Sequence, residues 1–415
     1  MELTFTNGLA LSPSKDPYFL GDAGIDGYIS IAASKGIDFD RLKVTLEEPG
    51  VLLNTIRSAD WYVDTLVHGI QRLLQLDDIK TTRDFVGLED QAKSTPKCFF
   101  HFDIPKTLQS ELLGQNRGFL RDLPPSLPSF ESVKKHPVLQ PRYQGESNVG
   151  YNLRVQALVR DKVVASITRT VNIIPTLDVP PPFCVADFPG EYVLTESRCQ
   201  RIWRPGGSRT RELRIEASQP LPVILCKPTD DTVFSTTLSL MQINNLTRNC
   251  RELPRAPVIG QCVASLVFST YISSDPRESA PTLEDVSSSR GTLCRNEGVY
   301  AKVEVPVQFS GWKEIPHTLP QDDGTPDTNT DTAQRSIAEA QAHLTLNFGQ
   351  LKYPVPSFES SLVSRRYKLD LCVRVTASNR RRTFRLILPA QISYSADKAQ
   401  SPRTNLECDC PPYFA

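Results

Sequence analysis

The residues of this chain that could carry out catalysis do not form a recognisable set. Acyl or phosphoryl transfer needs a nucleophile, a base and a charge-stabilising group in one pocket. None of the five histidines belongs to a His-Glu-x-x-His pattern, and Gly206-Gly207-Ser208 lacks the Gly-Lys-Ser/Thr ending of a phosphate-binding loop. The adjacent carboxylates Asp77-Asp78 and Asp322-Asp323 are typical of solvated turns. We therefore predict no enzymatic activity, no cofactor and no bound metal.

Three short basic clusters could bind phosphate groups, because guanidinium and ammonium groups form charge-assisted hydrogen bonds with phosphate oxygens. They are Lys134-Lys135-His136, Arg365-Arg366 and Arg380-Arg381-Arg382. Each is also compatible with a solvated turn. Arg380, Arg381 and Arg382 form the strongest candidate for contact with anionic lipid, since they follow a predicted hairpin turn that could reach a membrane surface.

Composition limits the classes of partner and compartment. The 47 basic residues balance the 47 acidic ones, which argues against a nucleic-acid partner, because such proteins usually carry a basic excess. No apolar run approaches 18 residues and the first residues do not resemble a signal peptide. We expect a cytoplasmic protein with reduced cysteines.

The pair Cys408 and Cys410 is the closest spacing among the ten cysteines. A zinc site would need two further ligands nearby, and none is visible in the adjoining sequence. Reversible acylation and an unmodified, solvent-exposed tail both stay open for these residues.

Two stretches far apart in the chain have the same hydrophobic pattern. From Gly150 to Pro175, apolar and polar residues alternate along two arms on either side of Asp161-Lys162. From Tyr367 the same alternation runs to Thr376, and it returns after a polar turn from Ser378 to Arg381. A period of two places the apolar side chains on one face of a strand. Both stretches begin Tyr-x-Leu and predict antiparallel hairpins, which suggests an internal repeat of two all-β domains.

The segments around the first hairpin resemble a known family. Phe99-Phe100-His101-Phe102-Asp103-Ile104-Pro105 precedes Leu123-Pro124-Pro125-Ser126, which precedes the hairpin, while Gly24 to Ile31 resembles an early strand. This order is similar to the N-terminal domain of arrestins, and most of all to fungal arrestin-like trafficking adaptors. The resemblance is most specific over residues 99–175.

The resemblance implies an all-β fold of two tandem arrestin-like, immunoglobulin-like β-sandwiches. We expect an N-terminal domain over 1–178, a proline-rich linker over 179–190 and a C-terminal domain over 191–397. Polar loop insertions are expected near 273–297 and 318–334, and a flexible tail over 398–415.

The implied function is that of a monomeric, non-enzymatic adaptor. Such a protein would link transporter or receptor tails to ubiquitin-dependent endocytosis, with transient recruitment to the plasma membrane or endosomes. A retromer-like structural sorting subunit and a signalling scaffold without a trafficking role are the alternatives.

Adaptors of this family often carry Pro-Pro-x-Tyr motifs that bind WW domains of ubiquitin ligases. This chain departs from the motif in both candidate segments. Pro181 and Pro182 are followed by Phe183 instead of tyrosine, and Tyr413 comes one position early after Pro411 and Pro412. The tail segment is the expected ligase contact.

Arg169 is the remaining candidate. It interrupts an apolar series in the return arm of the first hairpin, and a buried arginine must be paired. In receptor-binding arrestins, the arginine of the corresponding strand belongs to a buried charge cluster that a phosphate can break. The resemblance therefore makes Arg169 a candidate latch or phosphate sensor, unless it lies at a strand edge and reaches water.

Overall fold

The computed structural model describes most of the chain. The described residues are 1–8, 17–31, 39–47, 54–58, 67–69, 74–86, 95–107, 122–127, 143–147, 149–176, 184–204, 207–246, 258–289, 292–315, 334–351, 355–377 and 380–395. Strands account for most of them, so the predicted all-β fold class is confirmed.

The first half of the chain forms three sheets. Their strands are β1 (Glu2–Phe5), β2 (Tyr18–Leu20), β3 (Ile25–Ser30), β4 (Arg41–Glu47), β5 (Asn54–Ser58), β6 (Val67–Gly69), β7 (Gln75–Thr81), β8 (Phe85–Val86), β9 (Lys97–Phe102), β10 (Tyr143–Glu146), β11 (Tyr151–Val159) and β12 (Lys162–Ile174). The sheet orders are β1-β3-β9-β8, β10-β5-β6 and β2-β12-β11-β4-β7.

The second half contains longer strands and one short helix among its described residues. These elements are β13 (Thr195–Arg204), β14 (Gly207–Ala217), β15 (Val223–Leu225), β16 (Asp231–Leu246), β17 (Ile259–Ser273), α1 (Leu283–Ser288), β18 (Leu293–Gln308), β19 (Lys313–Ile315), β20 (Gln334–Gln350), β21 (Phe358–Glu359), β22 (Val363–Ala377), β23 (Arg380–Ala390) and β24 (Ile392–Tyr394). The sheet orders are β13-β14-β16-β20-β19, β15-β24 and β18-β17-β22-β21, with β23 paired to β22.

Both predicted hairpins are present. β11 pairs with β12 and β22 pairs with β23, each in antiparallel register. The first turn is centred on Arg160-Asp161, one residue earlier than the sequence suggested, and both residues have positive φ, of 46° and 66°. This is the backbone of a type I′ turn, whose twist matches that of the flanking strands.

The buried apolar residues form two large hydrophobic clusters. The first cluster lies between the sheets of the first half and is built mainly from β3, β4, β9, β11 and the end of β12. The second cluster lies between the sheets of the second half. Four residues of the second half, Val355, Phe358, Leu362 and Val363, belong to the first cluster. The segment before β22 therefore lies where the two halves meet.

Hydrogen bonds join the segment Asp122–Leu127 to the start of β11 and to the end of β12. The buried Tyr151 hydroxyl donates to the Pro124 carbonyl at 2.6 Å. The Ser126 amide donates to the Ile173 carbonyl at 2.8 Å, and the Ile173 amide donates to Ser126 Oγ at 2.8 Å. We call this arrangement the Tyr–Ser lock.

The second hairpin carries the same lock. The Tyr367 hydroxyl donates to the Val355 carbonyl at 2.5 Å. The Ser357 amide donates to the Ile392 carbonyl at 2.8 Å, and the Ile392 amide donates to Ser357 Oγ at 3.1 Å. A short parallel strand accompanies each copy, β2 beside Ile173 and β15 beside Ile392. The repeat noticed in the sequence thus extends to individual hydrogen bonds.

The polar loop predicted over 273–297 is shorter than expected and contains a helix. β17 continues to Ser273, α1 occupies Leu283–Ser288, and β18 begins at Leu293. Thr282 and Asp285 form a capping box at the start of α1, which satisfies backbone donors at the helix start. The other predicted insertion, 318–334, lies outside the described residues except for Gln334.

Candidate functional site

The most unusual side chains of the molecule are two buried arginines at the start of β22. Arg365 and Arg366 have only 4% and 2% of their surface exposed. Their strand pairs with β17 on one side, where Arg366 lies opposite Ser269. The prediction that Arg365-Arg366 forms an accessible phosphate-binding cluster or a solvated turn is therefore wrong. A fully buried charge needs partners, because its desolvation is otherwise too costly.

Arg366 lies between two aromatic rings. Its guanidinium carbon is 4.2 Å from the ring centre of Phe188 and 4.3 Å from that of Tyr271. Its Nη2 lies 3.5 Å from Glu191 Oε1 and also donates to the Pro281 carbonyl. Cation–π contacts gain strength when the cation is desolvated. Arg366 therefore anchors the segment from Phe188 to Glu191, which follows the predicted linker.

Glu191 also accepts a hydrogen bond in the same site. The Tyr271 hydroxyl donates to Glu191 Oε1 at 3.0 Å. Burial raises the pKa of Tyr271 to about 12, although the nearby Arg366 charge opposes the rise. Tyr271 therefore remains a donor at neutral pH, and Glu191 is held by both a cation and a hydroxyl.

Arg365 has its own hydrogen bond and aromatic contact on the opposite face of β22. Its Nε donates to Thr270 Oγ1 at 3.1 Å, and its guanidinium carbon lies 4.6 Å from the ring centre of Phe268. Adjacent residues of a strand point to opposite faces, so the two arginines serve different contacts. Arg365 packs beside the second cluster, to which Phe268 belongs.

Two further carboxyl groups connect Arg366 to the first half of the chain. The backbone amide of Glu359 in β21 donates to Asp122 Oδ2 at 3.1 Å. Burial raises the pKa of Glu359, which is lowered by Arg366 and raised further by Asp122. Burial also raises the pKa of Asp122. We call Asp122, Glu191, Tyr271, Glu359 and Arg366 the junction cluster.

Several polar atoms of the junction cluster are buried without a hydrogen-bond partner among the described residues. They are Nε and Nη1 of Arg366 and Oε1 of Glu359. Unsatisfied buried polar atoms are uncommon and costly in folded proteins. The cluster is therefore held through Nη2 of Arg366 and incompletely satisfied at Nε and Nη1.

Arg169 has the second of the two environments that the sequence left open. Its side chain is exposed, so Arg169 is not the buried, paired residue that a latch requires. β2 accompanies β12 only at Asn172–Ile174, so among the described strands Arg169 lies on a sheet edge. A charge on an edge strand can reach water without a partner.

The other predicted site residues divide into two groups. Arg380, Arg381 and Arg382 begin β23 after the second hairpin turn, with Arg381 exposed and Arg382 half-buried. The rest lie outside the described residues: Lys134, Lys135, Pro181, Pro182, Phe183, Cys408, Cys410, Pro411, Pro412 and Tyr413. The cysteines within the described ranges are free thiols.

Sequence reasoning missed most of the junction cluster. Phe188, Glu191 and Tyr271 are far from Arg366 in sequence and belong to no recognised motif. One available signal was the position of Arg365-Arg366 immediately before the repeated Tyr-x-Leu, where the first copy has Val149-Gly150. A charge at the entry of a buried strand indicates a specific partner.

Comparisons with known proteins do not assign a family. No protein-family model matches the chain, and no curated protein matches it. Within the described ranges, no helix is long and apolar enough to cross a membrane. No group of three or more histidine, cysteine, aspartate or glutamate side chains in that part of the chain could hold a metal ion.

Proposed function

We propose that this chain is a non-enzymatic, arrestin-like adaptor that links the tails of membrane cargo to ubiquitin-dependent endocytosis. It would consist of two tandem β-sandwich domains joined near residues 179–190. The observation that carries the proposal is the junction cluster, in which a buried arginine holds the segment between two repeated β units. An adaptor that responds to cargo needs such a breakable contact between its domains.

The repeated Tyr–Ser lock supports the two-domain part of the proposal. Each half has its own large hydrophobic cluster and its own copy of the lock. A domain is expected to have its own core and could in principle fold alone.

Arg366 is better suited than Arg169 to the sensor role that the resemblance implies. Its Nη2 is 3.5 Å from Glu191, so the anionic group of an acidic or phosphorylated cargo tail would compete with Glu191 for the guanidinium. Because Arg366 is buried, such a group must first separate the surrounding segments. Cargo binding and loosening of the domains would then be one event.

Two surface elements would complete the adaptor. Arg380, Arg381 and Arg382 follow the tip of the second hairpin, where basic side chains are attracted to an anionic membrane. Pro411, Pro412 and Tyr413 would provide a ligase contact. The protein would be cytoplasmic and monomeric, with transient recruitment to the plasma membrane or endosomes.

Proximity labelling in the native cell tests this function. A tagged wild-type chain is expected to label transporters or receptors and a ubiquitin ligase above a tagged, unrelated cytoplasmic protein. The Glu191→Gln variant is expected to label more cargo, since it removes the carboxylate that competes with cargo for Arg366, while the exposed Glu314→Gln variant serves as the matched control.

Deletion of residues 405–415 separates the ligase contact from cargo binding. The deletion is expected to remove ligase labelling and to leave cargo labelling intact. Labelling of no membrane protein above the unrelated control, by the wild type or the Glu191→Gln variant, would reject the adaptor function.

A further inference from the structure

The contact between Asp122 and Glu359 joins the two halves of the chain directly. Asp122 begins the segment Asp122–Leu127, whose Leu123 and Leu127 are buried in the first cluster. Glu359 lies in β21, between the buried Phe358 and Ser360. The Glu359 amide donates to Asp122 Oδ2 at 3.1 Å. The Asp122 carboxyl group thus contacts the backbone of Glu359, whose own carboxyl oxygen Oε1 is buried.

The charges around this contact do not balance. Arg366 is the cation that faces Glu359, and its Nη2 already lies 3.5 Å from Glu191. Tyr192 and Tyr271 face the same region but are neutral hydroxyls whose pKa burial raises. Arg295, which hydrogen-bonds Tyr271, is already paired with Glu297 at 3.0 Å. With Asp122, Glu191 and Glu359 all ionised, three negative charges would lie near the single charge of Arg366. Such an excess is unfavourable where solvent screening is weak.

A proton removes part of this excess. Burial raises the pKa of both Asp122 and Glu359, and the Asp122 charge raises that of Glu359 further. A carboxyl group with a raised pKa in the closed state binds its proton more tightly there than in the open state. The closed state is therefore favoured at low pH, and it loses stability as pH rises from about 4, the ordinary carboxyl value, through the raised values.

We propose that the Asp122–Glu359 contact is a proton-operated latch between the two halves of the chain. The latch is closed when one of the two carboxyl groups is protonated. It is weakened when both are ionised, because the like charges then repel each other across the junction. A fall in pH would hold the halves together, and a rise in pH would weaken the hold of the Asp122–Leu127 segment on β21. This proposal does not depend on the adaptor function, since it needs no cargo.

Hydrogen exchange at the Glu359 amide measures the latch directly in the wild-type protein. After correction for the intrinsic rate, protection of this amide is expected to fall as pH rises above about 4, the ordinary carboxyl value. The opening equilibrium changes about tenfold per pH unit for each proton that the closed state binds in excess. The Ala264 amide in β17 is the internal reference, and its protection is expected to change less.

Two conservative variants identify the titrating groups. Asp122→Asn keeps an oxygen that can accept from the Glu359 amide, and Glu359→Gln keeps the side-chain shape. Each is expected to flatten the pH dependence of Glu359 amide protection, and the double variant to abolish it. The exposed Glu314→Gln variant is the matched control and is expected to behave as the wild type.

The wild-type measurement decides the proposal even if a variant fails to fold. Protection of the wild-type Glu359 amide that is independent of pH, or that rises with pH, overturns the latch. A double variant that folds and keeps the full wild-type pH dependence overturns it as well. Loss of cargo labelling in cells with a normal pH response would reject the adaptor function alone.

Discussion

The two copies of the Tyr–Ser lock are built from the same hydrogen bonds but are entered by different residues. In the first copy, Val149-Gly150 precedes Tyr151, and β11 begins at the tyrosine itself. In the second, β22 begins at Val363 and carries Arg365-Arg366 before Tyr367. A side chain at Gly150 would meet nothing within 4 Å, whereas Arg366 is 2% exposed. Because β22 begins four residues before Tyr367, the second hairpin places Arg366 in the junction cluster.

The return strands of the two copies also differ, and at one matched position the arginine belongs to the first copy. The lock residues Ile173 and Ile392 correspond, and so do Val171 opposite Tyr151 and Ala390 opposite Tyr367. By the same count, Arg169 corresponds to Leu388. Leu388 is fully buried in the second cluster, whereas Arg169 is exposed. The matched position on the return strand is thus covered by the second cluster at Leu388 and open to solvent at Arg169.

Removing the arginine of the second copy is expected to have the largest effect. Arg366→Ala leaves Glu191 buried without its cation, which typically costs about 3–5 kcal/mol of the free energy of unfolding. Gly150→Ala, at the matching position of the first copy, is expected to change it by less than about 0.5 kcal/mol. Urea unfolding followed by fluorescence measures both. Equal effects of the two substitutions would remove the distinction between the copies.

The matching positions on the return strands are expected to differ next. Leu388→Ala creates a cavity in the second cluster and should cost about 2–5 kcal/mol. Arg169→Ala should change the free energy of unfolding by less than about 0.5 kcal/mol, because the side chain is exposed. Thermal unfolding of the two variants provides the measurement. A large loss at Arg169 would restore the interpretation of this residue as a buried latch.

The lock itself is expected to be equally important in both copies. Ser126→Ala and Ser357→Ala each remove the acceptor of a buried amide, at Ile173 and Ile392. An unsatisfied buried donor costs about 1–3 kcal/mol. Urea unfolding should give similar losses for the two variants, with Ser287→Ala, at an exposed position of α1, as the control. A loss of stability in one copy alone would show that the two locks share the same hydrogen bonds but contribute unequally to the free energy of unfolding.

The smallest expected effect concerns the exposed face of the first half. His101 Nδ1 lies 2.6 Å from Asp26 Oδ1 and its Nε2 lies 3.0 Å from Asp103 Oδ1. These hydrogen bonds, that of Asp26 first, raise the pKa of His101 above 6.5. Its contribution to stability is present below the ordinary pKa and is lost as pH rises through the raised value. An NMR titration should show this raised midpoint, and Asp26→Asn should lower it; a midpoint at or below 6.5 contradicts the geometry.

The period-two alternation was sufficient to predict both hairpins, because side chains of a strand alternate between a buried and an exposed face. It was not sufficient for α1, although the capping pair Thr282 and Asp285 was present in the sequence. The polar composition around this pair predicts a loop, whereas the pair itself predicts the start of a helix. Capping boxes are informative even in short polar segments.

The junction cluster was beyond the reach of sequence patterns for a different reason. Glu191, Tyr271 and Arg366 come from three segments whose contact depends on how β17, β22 and the segment before β13 pack together. Arg169 was placed in an apolar series that in fact lies at a strand edge, where burial does not follow from alternation. Periodicity assigns a side chain to a face, but only the packing decides whether that face is covered.

The central claim is that Arg366 and Glu191 form a coupled pair that fixes the segment between the two repeated units. A double-mutant cycle on Arg366→Met and Glu191→Gln, measured by urea unfolding, tests it most directly. The two substitutions are expected to be non-additive, with a coupling free energy of about 1–3 kcal/mol and a double variant more stable than the sum of the single effects predicts. Effects that add to within about 0.3 kcal/mol would show that the two groups act independently, and would contradict the account.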